Sequence, residues 1–455
     1  MASPRRRPGR QAPVLALLTA LALAWTGACA MPGVDGREPP GAGTSPYEPD
    51  ARGDEWTPCP LTGMERRECR GVTVPVGGGS RETLRLALSR LPARDPGRRV
   101  GALVLAPGGP GLSGLQEAVS AGVDYPRALR DRFDIVGYDR RGTGRSHRVD
   151  CGEPRGALDR LGTARSLRLV RDATAVDAAA RDYVEGCRLS YGPLLARLGS
   201  RAAATDLERV RRALGEERIS LLLHSYATVA GQVYLTRHPE RVRAAVFDGV
   251  VDPDRPGTSY VLRTLHTRQE LDDEQVPEPG PRAVPKAVPS DVRAAFDELD
   301  PGPPPLALFL GVHCTDFRWP GNLRALLREL DDAQEARWRT RTVARDYAPC
   351  VHWPGRGEPL GAVRPGDGEG NGDAGGDGDY GAADGADLLL INSEDDIRTP
   401  AAGAERVAMR FRAPLLTVPG GRHGLVGFGN ECAERAAVEH LTARHAADPD
   451  ASLGC

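Results

Sequence analysis

The sequence predicts an α/β fold, with a mostly parallel central sheet flanked by helices and an insertion between its later strands. Three observations carry that expectation. Apolar runs of strand length alternate with segments of helix length and polarity. Glycine-rich turns follow several of those runs, at Pro107-Gly108-Gly109-Pro110-Gly111, after Asp139 and at Gly420-Gly421. Residues able to do nucleophilic chemistry fall just past predicted strand ends, which is the edge where open parallel sheets bind their ligands.

The elements follow in order. Leu84 to Leu88 alternates as a strand does, and Val100 to Ala106 is a buried-strand run that enters the first glycine loop. Phe133 to Tyr138 is a short strand closed by Asp139. Thr205 to Leu214 has a threonine at its start, acids early, arginines late and Gly215 beyond its end, the marks of a capped helix. Ile219 to Leu223 predicts a strand, Tyr226 to Arg237 a helix stopped by Pro239, and Val242 to Phe247 a strand. The regularity then breaks into a Pro-rich stretch with helix-like segments near Val292 to Leu299 and Leu323 to Arg337. Sheet character returns at Asp387 to Ile391, followed by a helix over Ala401 to Arg410 and a strand over Pro414 to Val418.

This divides the chain into an export signal over 1–30, a Gly- and Pro-rich tether over 31–54, a first core part over 55–252, a lid insertion over 253–345 and a second core part over 346–455. A Gly/Asp-rich segment over 366–387 reads as a solvated loop. Its Gly-Gly-Asp-Gly-Asp run resembles one turn of a calcium-binding repeat that needs many copies to work, so no metal is expected there. The signal rests on Arg5, Arg6, Arg7 and Arg10, followed by an apolar stretch from Val14 to Trp25 that is too short to span a bilayer comfortably. Cys29, after Gly27-Ala28, is a candidate lipidation site that would hold the protein at the outer face of a membrane; ordinary cleavage and secretion is the alternative.

The formal net charge is −2, with both signs interspersed, so there is no electrostatic footprint for nucleic acid. Nine cysteines are present. Setting Cys29 aside leaves Cys59, Cys69, Cys151, Cys187, Cys314, Cys350, Cys432 and Cys455, an even set that an exported protein can oxidise completely. No C-x-x-C pair occurs, which argues against structural zinc.

Four features could do chemistry together. Ser225 lies between a buried strand and a helix, where a sharp turn would expose its hydroxyl at the helix N-terminus. The loop at Gly108-Gly109 could aim the N–H of Gly109 at a developing oxyanion, with the N–H of Tyr226 as second donor. Asp396 follows a late strand, with neighbouring Glu394 and Asp395 as alternative acids, and His423 follows the last strand. Taken singly, each is an ordinary cap, turn or exposed polar residue. Their order of oxyanion loop, serine, acid and histidine is the chain order of the α/β-hydrolase triad. The tight turn favours small residues two before and two after the serine; Ala227 is acceptable there, while Leu223 is not the expected glycine, so crowding of the elbow by Leu223 and slow turnover are expected.

From Trp56 to Cys455 the chain also resembles the secreted tripeptidyl aminopeptidases related to proline iminopeptidases. The resemblance rests on Gly108-Gly109-Pro110-Gly111 with Ser113-Gly114, on Phe133 to Gly142, on Ser225-Tyr226 and on Asp248-Gly249-Val250-Val251-Asp252-Pro253. It continues through Asp396, Thr399-Pro400, His423-Gly424 and the segment from Cys432 to Cys455. The resemblance implies Ser225 as nucleophile, His423 as general base, Asp396 as the orienting acid, no cofactor, and peptides with free N-termini as substrates. This chain departs from the family in having Leu223, Ala227 and Leu112 where glycine is usual, and a shorter lid between Pro253 and His313. Pairing neighbouring cysteines, which the resemblance supports, gives Cys59–Cys69, Cys151–Cys187, Cys314–Cys350 and Cys432–Cys455. An ester hydrolase, or a non-catalytic surface protein keeping the fold, are the competing functions.

Overall fold

A computed structural model of the chain describes residues 55–59, 66–168, 170, 172–263, 297, 299, 304–333, 335–355 and 387–443. The export signal, the tether, the segment Val292 to Leu299 apart from two residues, and nearly all of the Gly/Asp-rich loop lie outside the described residues.

Nine strands form one sheet, β1 (Thr57–Pro58), β2 (Glu68–Pro75), β3 (Thr83–Leu91), β4 (Gly101–Ala106), β5 (Phe133–Tyr138), β6 (Ile219–His224), β7 (Val242–Asp248), β8 (Leu388–Ser393) and β9 (Leu415–Val418). Their order is β1-β2-β3-β5-β4-β6-β7-β8-β9. The first three pair antiparallel, as does β3 with β5, and every later pairing is parallel. Nine principal helices are described: α1 (Gly114–Asp124), α2 (Ala173–Tyr191), α3 (Ser200–Leu214), α4 (Ala227–Arg237), α5 (Leu306–Asp316), α6 (Leu323–Asp332), α7 (Arg337–Tyr347), α8 (Ala401–Phe411) and α9 (Glu431–Thr442).

Side chains alternate across a strand, so a sheet covered on both faces needs apolar residues at successive positions. The central strands meet that need. In β4, Ala102 and Val104 join one apolar cluster while Leu103 and Leu105 join the other. In β6, Ile219, Leu221 and Leu223 point to the first cluster and Leu222 to the second. Helices α3, α4 and α8 cover the first face through residues such as Leu207, Val229 and Val407. Helices α1 and α9 cover the second through Ala118, Ala433 and Leu441.

The parallel register aligns the strand C-termini. Ala106 lies opposite Leu223, His224 opposite Asp248, Asp248 opposite Ile391, and Ser393 opposite Val418. The loops that follow β4, β6, β7, β8 and β9 therefore leave from one edge, carrying Gly108, Ser225, Gly249, Asp396 and His423.

Two expectations need correction. Helix α3 begins at Ser200, five positions before Thr205, because Asp316 from a distant helix accepts from both Ser200 N and Ser200 Oγ at 2.6 Å. A carboxylate at that first turn satisfies a donor that local sequence leaves open, and Thr205 Oγ1 instead donates back to Arg201 O within the helix. The single helix expected over Leu323 to Arg337 is the pair α6 and α7, with Ala333 and Ala336 extended between them. Strand β2 was not anticipated; its mixed exposure and short apolar steps carry little strand signal.

Among the described residues three disulfides join Cys59–Cys69, Cys151–Cys187 and Cys314–Cys350, matching the expected neighbour pairing. The fourth expected bridge needs Cys455, outside the described residues. In the chain-entropy model each bridge contributes roughly 2–4 kcal/mol. Bridges of this kind fit maturation in an oxidising compartment. Among the described residues no helix is long and apolar enough to cross a membrane.

Candidate active site

Ser225 occupies the single turn between β6 and α4, with φ of +51°. A non-glycine residue in that region is strained, by roughly 1–3 kcal/mol, and needs surrounding structure to hold it. Ser225 N donates to Asp248 O at 2.9 Å, while Thr228 Oγ1 donates to Ser225 O at 2.7 Å. The carbonyl and amide of the strained residue are thus both fixed.

Leu223 is buried, and its side chain packs against α4 at Gly231. A Cβ on Gly231 would stand 2.4 Å from Leu223 Cδ1. The missing side chain at Gly231 makes room for Leu223, so the crowding expected of the turn is relieved. Leu223→Gly should therefore give no faster turnover. It should destabilise the fold by about 3–5 kcal/mol, from the lost burial, the cavity and glycine's backbone entropy. Urea unfolding beside steady-state kinetics checks this; a faster variant of undiminished stability would contradict it.

The loop after β4 lies over the elbow. At Gly108 a Cβ would meet Ser225 Cβ at 2.4 Å, Ser225 Oγ at 2.8 Å and Tyr226 N at 3.0 Å. Only glycine permits this approach. Gly109 has φ of +106° and Gly111 of +105°. Among the described residues, the N–H groups of Gly109 and Tyr226 donate to no protein acceptor. Both candidate oxyanion donors are therefore open, and a Cβ on Gly108 would lie 3.0 Å from Tyr226 N.

Asp396 and His423 are brought together. His423 Nδ1 is 2.8 Å from Asp396 Oδ2, and the carboxylate is fully buried. The Asp396 carboxylate makes four contacts: besides the imidazole, Arg398 N at 2.9 Å and Thr399 N at 3.0 Å donate to Oδ1, and Thr399 Oγ1 donates to Oδ2 at 2.7 Å. Glu394 and Asp395 are exposed, with their backbone amides tied to Val418 O and Gly420 O. No hydrogen bond joins Ser225 Oγ to His423; without substrate, such contacts are commonly long and tighten on binding. Gly249, which follows the Asp248 carbonyl that accepts from Ser225 N, lies close to the histidine: a Cβ there would be 3.2 Å from His423 Cε1.

Two sets of supporting residues escaped assignment from sequence. Asp248 closes β7, and its Oδ2 accepts from Leu425 N at 2.7 Å and Val426 N at 2.8 Å, just beyond His423. His224 Nδ1 is 3.1 Å from the same oxygen, and His224 Nε2 contacts Tyr125 OH at 2.9 Å. Tyr125 OH in turn donates to Glu117. A buried polar network thus underlies the elbow and anchors the histidine loop. The available signal was a charged residue ending an apolar strand. In the second set, Tyr226 OH donates to Asp316 Oδ2 at 3.0 Å, which ties the side chain of the oxyanion candidate to α5. No local pattern reveals that contact across 90 residues.

His313 packs on the same cluster, with its ring 5.0 Å from that of Tyr226 and Nδ1 3.0 Å from Tyr347 OH. Burial first, and then Arg140, pushes its pKa down to about 3 from 6.5. The folded protein refuses a proton that the unfolded chain accepts. This contribution to stability is whole above about pH 6.5 and is lost as pH falls toward about 3, at up to ~1.4 kcal/mol per pH unit. His313→Gln should flatten the fall in unfolding free energy between pH 6 and pH 4 relative to wild type. Equal slopes in denaturant titrations would contradict this.

A parallel-edged sheet with its loops on one side, a serine elbow after β6, an acid after β8 and a histidine after β9 define an α/β-hydrolase. Residues 101–277 match the family model for the alpha/beta hydrolase fold, and residues 336–452 match that of TAP-like protein. Tripeptidyl aminopeptidase of Streptomyces coelicolor is 26% identical over 476 residues, covering 87% of this chain and 85% of that protein. Serine protease Hip1 of Mycobacterium tuberculosis is 34% identical over 218 residues, 46% of this chain and 42% of its own. Carboxylesterase B of Mycobacterium tuberculosis is 34% identical over 233 residues, 48% of this chain and 43% of its own. The matched stretch thus spans less than half the length of these last two relatives. The chain thus combines an α/β-hydrolase fold region with a TAP-like C-terminal segment, and over most of its length it is similar to tripeptidyl aminopeptidases.

Proposed function

We propose that the protein is an exported serine hydrolase of the aminopeptidase type, acting through Ser225, His423 and Asp396. The observation that carries this reading is the contact between His423 and buried Asp396 beside a positive-φ serine elbow. In the reaction, Ser225 Oγ attacks the scissile carbonyl as His423 Nε2 takes its proton. The tetrahedral oxyanion accepts from the N–H groups of Gly109 and Tyr226. His423 then gives the proton to the leaving amine as the C–N bond breaks, leaving an acyl-enzyme ester on Ser225. Water, deprotonated by His423, hydrolyses that ester and regenerates the serine. Asp396 keeps the proton on Nδ1, so that Nε2 is free to act as base.

The disulfides and the N-terminal signal support export, with attachment through a lipidated Cys29 as one route to the cell surface. Ser225→Ala is expected to lower hydrolysis of aminoacyl and peptidyl amides and esters by several orders of magnitude, leaving only what binding and the oxyanion donors provide. Equal rates for the two proteins would overturn the assignment. The likeness to a carboxylesterase supports a second reading, ester hydrolysis by the same three residues. Comparing kcat/KM for matched amide and ester substrates separates the two.

A further inference from the structure

A small open cleft of about 40 Å³ lies on the side of β7 and β8, beside Thr399, the partner of Asp396. Thr399 lines it, and Thr399 Oγ1 also touches Asp396 Oδ2 at 2.7 Å and lies 3.4 Å from His423 Nδ1. The other polar lining is lopsided. Arg255, Arg263, Arg398 and Arg406 line the cleft, and among the described residues Asp252 is the only carboxylate that lines it. Asp252 accepts from Arg406 Nε at 2.7 Å and lies 3.8 Å from Arg255 Nε. Arg410 Nη2 also lies 3.8 Å from Asp252 Oδ1, so one carboxylate serves three guanidiniums, while Arg263 adds a further charge on an exposed side chain. The surplus is felt locally. Burial lowers the Arg255 pKa first, and the charges of Arg406 and Arg263 lower it further, against a smaller opposing pull from Asp252. Guanidiniums that repel one another across a half-open cleft are a site for an anion, and their planar forks suit a carboxylate.

We propose that this cleft binds a carboxylate on the leaving part of the substrate. The inference rests on the serine-hydrolase reading given above, because it is His423 that hands its proton to the departing amine, and the cleft lies against the partners of His423. The carboxylate is either the free C-terminus of a short peptide or an acidic side chain just after the scissile bond. Both present the same group to the arginines.

The test uses three peptides sharing an Ala-Ala-Ala acyl part: Ala-Ala-Ala-Gly with a free C-terminus, its C-terminal amide, and Ala-Ala-Ala-Asp amide. At least one carboxylate-bearing peptide should exceed the neutral amide in kcat/KM by about tenfold, the scale of a charge-assisted contact. That preference should shrink as salt is raised. In the double variant Arg255→Gln/Arg263→Gln it should fall to near one, with the neutral amide cleaved as before. The free-terminus and Asp arms tell which carboxylate is read. A wild-type preference near one, or a preference unchanged in the double variant, overturns the proposal. Fluorophosphonate labelling of Ser225 accompanies each protein. Labelling kept in the double variant certifies an intact site, so that a lost preference belongs to the cleft; labelling and neutral-amide cleavage lost together would place these arginines in the fold and overturn the proposal. Failure of wild type to label would remove the serine-hydrolase reading itself, and this inference with it.

Discussion

Asp396→Asn is expected to lower turnover by about 10⁴-fold with the fold intact. Asp396 Oδ1 accepts two backbone N–H groups, from Arg398 and Thr399. The asparagine carbonyl oxygen will keep that position, because the amide nitrogen cannot accept. Its NH2 group then replaces Oδ2 and faces His423 Nδ1, now 2.8 Å from a carboxylate oxygen. A donor there forces the proton of His423 onto Nε2, where it can no longer take one from Ser225. The large loss should appear in kcat, with thermal unfolding little changed, because backbone contacts to Oδ1 persist. A variant within tenfold of wild type would show that Asp396 does not set the histidine tautomer. Glu394→Gln and Asp395→Asn serve as controls; both side chains are exposed and should leave turnover near wild type.

Gly108→Ala should cost at least about 100-fold in turnover, the scale of a displacement of ~1 Å at reacting atoms. The added methyl would stand 2.4 Å from Ser225 Cβ and 3.0 Å from Tyr226 N. Neither neighbour is the far end of a flexible chain. Either the loop lifts, carrying Gly109 N–H away from the oxyanion position, or the elbow shifts and takes the nucleophile with it. A burst experiment with an activated ester reads acylation directly, and circular dichroism reports on folding. Wild-type acylation in a folded Gly108→Ala protein would contradict this packing.

Much of the fold was legible because the sheet is covered on both faces. Such strands read as continuous apolar runs, and Phe133 to Tyr138 and Val242 to Phe247 fell within a residue of their observed bounds. The candidate site was legible because parallel strands end at one edge, so chain order alone placed a glycine loop, a serine, an acid and a histidine in adjacent loops. What stayed hidden depends on contacts between distant residues. Asp316 starts α3 at Ser200 across 116 positions, a cap that no window around Thr205 could reveal. Leu223 seemed to crowd the elbow because the space for it is made by Gly231, on the next helix. Asp248 anchors the histidine loop across 177 positions, and nothing in its neighbourhood distinguishes it from a strand-ending acid. The arginines of the cleft come from the β7 exit and from the loop and helix after β8, and in sequence they are lost among many others.

The central claim is that Ser225 is a nucleophile activated by His423. It is tested most directly by treating the protein with a fluorophosphonate, digesting it and mapping the phosphonylated peptide by mass spectrometry. The expected result is one adduct per chain, on Ser225, formed slowly or not at all in His423→Ala. An unlabelled wild type, or a label on another serine, would contradict it.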